Sequence, residues 1–231
     1  MALAGWAFVI WSCLHMKAPL VQAMMPRTSA WTLHEAGMVW LMWAVMMAAM
    51  MLPSAAPMIL VHRRMSLGHQ DRGNAENAVF IGAYLVAWSA FSLAAAGAQW
   101  GLQSLSITST MVVMTDPWLA GSVLVAAGLY QLTPLKEACL AHCRTPIGFL
   151  ATEWRPGNWG AFRMCLKHGT FCIGCCWGLM AVLFVFGVMS LLAIVLLATA
   201  VAAEKLLPWG KAVRWALGSL FVVWGAALPQ L

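Results

Sequence analysis

An uncharged, apolar run from Gly169 to Ala203 is the feature that most restricts what this chain can fold into. About 20 apolar residues in a helix cross the hydrocarbon core of a bilayer, so this run is far too long for one crossing. Hydrophobic residues make up 63% of the chain and charged residues 9%, whereas a soluble domain carries about 25% charged residues. Helices satisfy their own backbone hydrogen bonds in lipid, and the sequence lacks the alternating pattern of a membrane β-barrel. We therefore predict an all-α, polytopic membrane helical bundle, formed as one integral membrane domain over residues 1–231.

The apolar segments predict six to seven transmembrane spans. The long run is divided at Phe186-Gly187-Val188 into two spans. The first segment is short and is predicted to be an anchor rather than a cleaved signal peptide. The predicted spans are 2–14, 36–61, 78–97, 119–135, 169–186, 189–203 and 212–228. Residues 136–167 are predicted to be the only sizeable loop.

The basic residues predict the orientation of the spans. With seven spans, eleven of the thirteen Lys and Arg residues lie on one side, in or beside 62–77, 136–167 and 204–211, and only Lys17 and Arg27 lie on the other. Cytoplasmic loops carry the excess of basic residues, so we predict that the crowded side and the N-terminus are cytoplasmic. The lipid bilayer is then its first partner. The basic residues are too few to indicate nucleic acid binding.

The stretch HGTFCIGCCWGLM, residues 168–180, is the richest in side chains that bind metals. Residues three and four apart share one face of a helix. That spacing predicts a single stripe of thiol, imidazole and thioether groups: Cys165, His168, Cys172, Cys176 and Met180, with Cys175 beside them. The stripe is typical of half a metal or redox site, although free cysteine also packs as a small hydrophobic residue.

A second cysteine pair occurs in YQLTPLKEACLAHCRTP, residues 130–146. Cys139 and Cys143 are four residues apart, which is the spacing of ligand pairs in helical metal sites. The predicted topology places this pair at the same cytoplasmic end as the first stripe. A reducing compartment disfavours stable disulfides there and favours metal binding or transient redox chemistry, whereas an inverted topology would make a disulfide plausible.

Methionines form an i, i+4 row in the second predicted span, at Met38, Met42, Met46 and Met50. Pro53 and Pro57 follow and are predicted to break this helix near its inner end. Thioethers and thiolates both favour Cu(I). Methionine also fills gaps in ordinary cores, so the row alone favours packing over metal binding.

Several polar residues occur where apolar side chains would be expected. Tyr130 and Gln131 lie in the fourth predicted span and need hydrogen-bond partners if buried. Lys136 ends that span, and Glu204 and Lys205 end the sixth. Glu204 is predicted to pair with Lys205 or Lys136, or to support the metal ligands from behind.

The motifs MMAAMMLPSAAPM, YQLTPLKEACLAHCRTP, HGTFCIGCCWGLM and EKLLPWG together resemble a bacterial family catalogued as domain of unknown function 2182, whose members are described as predicted metal-binding integral membrane proteins. The resemblance runs from about Met38 to about Gly210 and implies metal binding without naming the metal. With the predicted orientation, it also implies a multi-pass protein of the bacterial inner membrane. The positions of this chain that match the motifs are Pro53, Pro57, Tyr130, Gln131, Pro134, Lys136, Cys139, Cys143, Cys172, Cys175, Cys176, Trp177, Met180, Glu204 and Lys205.

These features predict a sulfur-rich site for a soft metal, copper first and zinc second. The predicted ligands are Cys139, Cys143, Cys172, Cys175 and Cys176, supported by His168, Met46, Met50 and Met180. The predicted surrounding residues are Tyr130, Gln131, Lys136, Glu204 and Lys205. The expected role is metal handling or delivery to a metal-accepting protein, such as a copper-dependent membrane enzyme. A membrane thiol oxidoreductase and a structural accessory subunit of a larger membrane complex remain alternatives.

Overall fold

A computed structural model describes residues 2–26, 30–67, 73–109 and 112–230. This part of the chain is helical and contains no β-strand, which confirms the predicted fold class. The helices are α1 (Ala2–Leu14), α2 (Pro19–Met24), α3 (Leu33–Leu67), α4 (Gly73–Ser104), α5 (Pro117–Leu132), α6 (Pro134–Arg144), α7 (Pro146–Glu153), α8 (Gly157–Ala181), α9 (Leu183–Phe186), α10 (Leu191–Leu206) and α11 (Gly210–Ala227), and a 3₁₀ turn (Leu228–Gln230) follows.

Among the described residues, four helical segments are long and apolar enough to cross a membrane. They are α3, α4, α8 continued through α9, and α11 continued through the 3₁₀ turn. The bent pair of α5 and α6 makes a fifth if it counts as one span. Six to seven spans are therefore not confirmed. The 13 residues of α1 rise only about 20 Å, short of a hydrocarbon core of roughly 30 Å.

The long apolar run breaks where the sequence predicts. Helix α9 ends at Phe186, and Gly187 adopts a φ of 97°, a conformation that glycine reaches without steric cost. Helix α10 begins at Leu191, where the Ser190 hydroxyl accepts a hydrogen bond from the backbone N–H of Ala193 at 3.4 Å. One apolar stretch thus becomes two separate helices.

The predicted fourth span is interrupted instead of continuing to Leu135. Helix α5 ends at Leu132, and α6 starts at Pro134 with its axis bent by 62°. Proline disfavours helical geometry in the residue before it, and the Thr133 hydroxyl then caps α6 by accepting from the Lys136 N–H. The prediction of a loop over 136–167 was wrong, because α6, α7 and the first turns of α8 occupy most of it.

The predicted break at Pro53 and Pro57 was also wrong, because α3 continues through both residues. Pro53 and Pro57 each remove one helical hydrogen bond, to the carbonyls of Ala49 and Pro53, and the rest of the helix is retained. Near the first proline, the Met51 carbonyl also accepts from the Ser54 hydroxyl at 2.9 Å and from the Tyr84 hydroxyl at 3.4 Å. The methionine row therefore lies on one continuous helix.

The longest helices pack side by side. Helices α3 and α4 are antiparallel, since Trp43 bonds to Gln99 at one end (2.8 Å) and His62 to Asn77 at the other (3.3 Å). Helix α8 lies against α4 so closely that a Cβ on Gly169 would be 2.7 Å from the Ala87 Cβ. The three helices enclose much of the core, and the thiol groups of α8 lie within it.

Glycines set the contact between α5 and α11. A Cβ on Gly128 would lie 2.7 Å from the carbonyl oxygen of Gly218, and a Cβ on Gly121 would lie 2.5 Å from that of Gly225. Small residues allow helix backbones to approach this closely. The last helix is thus held against α5 mainly by backbone contact.

Candidate metal centre

Four cysteine side chains from two helices come together in the core. The Cys143 Sγ on α6 lies 4.0 Å from the Cys175 Sγ on α8, and the Cys175 Sγ lies 3.2 Å from the Cys176 Sγ. The Cys175 Sγ also donates to the Cys172 carbonyl oxygen at 3.1 Å. The two clusters predicted separately from the sequence therefore meet.

The helical spacing on α8 explains this arrangement. Cys172 and Cys176 are one turn apart, Cys175 lies between them on the same side, and all three are at most 1% exposed. Cys139 is placed differently, since its Sγ would lie 2.9 Å from a Cβ added to Gly174. It packs on the α8 backbone, one turn of α6 before Cys143. The close approach of α6 to α8 thus depends on a glycine at position 174.

A lysine also reaches the thiol cluster. The Lys205 Nζ, in the last turn of α10, lies 3.0 Å from the Cys172 Sγ and 3.2 Å from the Ser54 Oγ. The residue is 6% exposed. Within the described ranges, no carboxylate lies within 4.0 Å of its ammonium group. Lys205, predicted to surround the site, is in direct contact with one of its sulfur atoms.

Tyr84 is a contact that the sequence reasoning missed. Its hydroxyl lies 3.1 Å from the Cys172 Sγ, although the two residues are 88 positions apart in the sequence. The chain has only two tyrosines, and the other, Tyr130, donates to the Gly174 carbonyl oxygen. A buried tyrosine hydroxyl needs a partner, so a tyrosine within an apolar span was the available signal.

The other predicted surrounding residues form an ion pair of their own. The Lys136 Nζ donates to the Glu204 Oε2 at 2.7 Å, and both side chains are at most 1% exposed. Gln131 donates to the Glu204 Oε1 at 2.7 Å and accepts from Lys136. Arg144 donates to the Glu204 carbonyl oxygen at 2.7 Å. Glu204 therefore pairs with Lys136 and not with Lys205, and the group ties the bend between α5 and α6 to the end of α10.

His168 lies one turn before Cys172 and is 3% exposed. Its ring packs against Tyr84 and Phe149, with centroids 6.1 and 5.7 Å away. In the described structure its Nδ1 has no hydrogen-bond partner. His168 therefore lies beside the cluster with one ring nitrogen uncommitted.

The predicted methionines Met46, Met50 and Met180 are all buried in the core. Met180 is two turns past Cys172 and lines an apolar cavity of about 170 Å³ with Trp43, Trp177 and Phe184. Met46 and Met50 are buried in α3. The polar groups of α3 that contact the partners of Cys172 are the Met51 carbonyl, which accepts from Tyr84, and the Ser54 hydroxyl, which accepts from Lys205.

The thiols of Cys143 and Cys175 suit a soft metal ion in their chemistry and in their spacing. Metal–thiolate bonds are about 2.3 Å in zinc sites, so one ion can bond to two sulfurs that are 4.0 Å apart. In the part of the chain that the structure describes, no group of three or more His, Cys, Asp or Glu side chains is arranged to hold an ion as it stands. The arrangement offers a sulfur pair with two further thiols near it, not a closed cage.

This is an all-helical protein with apolar helices and a buried cluster of thiols. A family model described as copper chaperone, PpoB2, matches residues 40–228, and the chain belongs to this family. No curated protein and no solved structure matches the chain. The family match supports the link to copper, and it does not carry the label of domain of unknown function 2182.

Proposed function

We propose that this protein is a membrane-embedded copper chaperone that holds Cu(I) among the thiols of Cys143, Cys172, Cys175 and Cys176. The observation that carries the proposal is the meeting of the partly buried Cys143 sulfur of α6 with the buried sulfurs of α8 in a member of a copper chaperone family. Thiolates favour Cu(I), and zinc is the second choice. Cys139 and His168 lie close enough along their helices to support the ion during loading or release.

The copper is cargo, and the protein's own groups bind and shelter it. The thiols supply the bonds, and the buried setting excludes water. Cys143 lies on α6, after the bend at Thr133, and its partner thiols lie on α8. Copper leaves when the helices around the cluster part, by exchange of its sulfur ligands for those of an acceptor, for which a copper-dependent membrane enzyme is the proposed partner.

Membrane placement follows from the apolar helices and their charged ends. Four or five of them are long and apolar enough to cross a bilayer, and α1 and α10 are the proposed additional spans. The ends that carry Arg63, Arg144 and Lys167 lie on one side in the proposed topology. That side is proposed to face the cytoplasm of a bacterial cell, with the N-terminus also inside.

The proposal predicts that copper binding depends on the α8 thiols. We expect the detergent-purified protein to bind close to one Cu(I) per chain in an anaerobic titration against a chromophoric Cu(I) chelator. A variant with Cys172, Cys175 and Cys176 changed to serine should lose nearly all of this copper, because hydroxyls are poor ligands for Cu(I). Cys13→Ser, which changes a thiol in α1, is the matched control and should bind as the wild type does.

Thermal unfolding and size-exclusion chromatography check that the triple variant is folded. A wild type that holds no copper, or a folded triple variant that retains it, would contradict the proposed function.

The proposal also assigns a supporting role to Met46 and Met50. The double change Met46→Leu, Met50→Leu keeps the side-chain volume and removes two thioethers. We expect Cu(I) affinity to fall about tenfold while the stoichiometry is unchanged, as for other groups that support a metal site. Met24→Leu, at an equally buried methionine of α2, should leave the affinity unchanged. Equal affinities in all three proteins would assign these methionines to packing alone.

Thiol redox chemistry is the second candidate, favoured by one observation. Cys172 and Cys175 have C-x-x-C spacing, and the Cys143 Sγ is 4.0 Å from the Cys175 Sγ. Such a protein would hold no copper and would form one defined disulfide under mild oxidation, which mass spectrometry of the alkylated protein detects. An accessory subunit would instead purify with partners and tolerate the serine changes.

A further inference from the structure

Two lysines are buried in the described structure, and their partners differ. The Lys136 ammonium is 2.7 Å from the Glu204 carboxylate. Lys205 is hydrogen-bonded to a hydroxyl and a sulfur, and no carboxylate in the described ranges is within 4.0 Å of it. Burying a cation without a counter-charge is unfavourable. The group that balances Lys205 must therefore come from the thiol cluster or from what binds there.

We propose that Lys205 makes the cluster selective for monovalent soft ions, Cu(I) and Ag(I), over divalent ions that also bind thiolates. This inference rests on the proposed function. With any given number of thiolates, a divalent ion places one more positive charge near the Lys205 ammonium than a monovalent ion does. The resulting repulsion is strong in a buried site, where the effective dielectric constant is low.

Lys205 acts on the site without being a ligand. Its ammonium has three N–H donors and no lone pair, so it cannot bond to a metal ion. It contacts the Cys172 Sγ at 3.0 Å and the Ser54 Oγ at 3.2 Å, and these contacts hold the charge beside the cluster. Lys205 is thus a residue that determines specificity through charge and position.

Isoelectronic ions separate charge from other properties. Cu(I) and Zn(II) share one filled d shell, and Ag(I) and Cd(II) share the next, so neither pair has a geometric preference from its d electrons. The experiment measures the affinities of all four ions by anaerobic competition on the full-length protein in detergent. The variants are Lys205→Met, which removes the charge, and Lys205→Arg, which keeps it.

Two thiolates with a monovalent ion carry one net negative charge, which the Lys205 ammonium stabilises, whereas two thiolates with a divalent ion carry none. We therefore expect Lys205→Met to bind Cu(I) and Ag(I) about 10- to 100-fold more weakly, in the range found when a group behind a metal ligand is removed. Zn(II) and Cd(II) should bind no more weakly than before, so the ratio of Ag(I) to Cd(II) affinity falls at least about tenfold. Lys205→Arg should keep a ratio close to that of the wild type. Lys167→Met is the control, because that lysine is 48% exposed and pairs with Glu153 at the surface.

Three results would overturn the inference. One is an unchanged affinity ratio in a folded Lys205→Met protein, and another is an equal loss of affinity for all four ions. The third result concerns the wild type alone, and is the uptake of Cd(II) by the wild type in the presence of equimolar Ag(I). A wild type that binds neither Cu(I) nor Ag(I) is a different result, because it overturns the proposed function as well.

Discussion

Replacing Lys136 with methionine is expected to destabilise the folded protein by about 3–5 kcal/mol, because it leaves the Glu204 carboxylate buried without its counter-charge. Glu204 is 1% exposed, and only the Gln131 amide would remain bonded to its side chain. The same group links the bend between α5 and α6 to α10, so its loss affects several helices together. Equilibrium unfolding in mixed micelles, followed by the fluorescence of the fourteen tryptophans, measures the change.

The matched control removes both charges at once. In a Lys136→Met, Glu204→Met variant no ion is left unpaired, and most of the lost stability should return, since apolar replacements of buried ion pairs are often neutral. A single variant as stable as the wild type would contradict the ion pair. A double variant that is less stable than Lys136→Met would show that the two charges do not stabilise each other.

Replacing Gly128 with leucine is expected to cost about 3 kcal/mol or more by forcing α5 and α11 apart. A Cβ at this position would lie 2.7 Å from the Gly218 carbonyl oxygen and 2.8 Å from a methyl carbon of Val222. Both helix backbones are rigid, so the strain cannot be relieved by a side-chain rotation. Proteolysis in detergent should then release α11, and the unfolding midpoint should fall.

Gly97→Leu is the control for this steric effect. Gly97 lies in α4, and a Cβ there meets no atom within 4 Å. Leucine is also a better helix former than glycine, so this variant should be at least as stable as the wild type. If both substitutions destabilise the protein equally, the close approach of α5 to α11 is not the cause.

The helical stripe of α8 was predictable because it depends only on local geometry. Residues at spacings of three and four share a face in any α-helix, so His168, Cys172 and Cys176 had to align once the segment was helical. The break at Gly187 was predictable for a similar reason, since a 35-residue run exceeds the thickness of a bilayer. The meeting of Cys143 with the α8 thiols followed from placing both clusters on one face.

The helicity of residues 136–167 was not predictable from the same patterns. Helices α6 and α7 have 11 and 8 residues, and isolated helices of that length are marginal in water. They are stable because they pack on α8 and α3. Local sequence patterns do not show contacts between helices that are distant in the sequence. The Thr133–Pro134 step signals the end of α5 but does not say that a second helix follows.

The partners of the buried polar groups were also not predictable from a single sequence. Lys136 and Glu204 are 68 residues apart, and Tyr84 and Cys172 are 88 residues apart. Burial predicts that each of these groups has a partner, but local spacing does not identify it. Lys205 was therefore assigned a general supporting role, and its contact with Cys172 emerged only from the fold.

The burial of the α8 thiols has a consequence for their lifetime in the cell. Thiol–disulfide exchange requires a sulfur of the attacking molecule to reach the sulfur attacked, and Cys172, Cys175 and Cys176 are at most 1% exposed. A tripeptide such as glutathione cannot contact them in the folded protein. The glutathione poise of the surrounding compartment, which differs on the two sides of a membrane, is therefore not what keeps these thiols reduced. Their redox state is governed by how often the helices around them part.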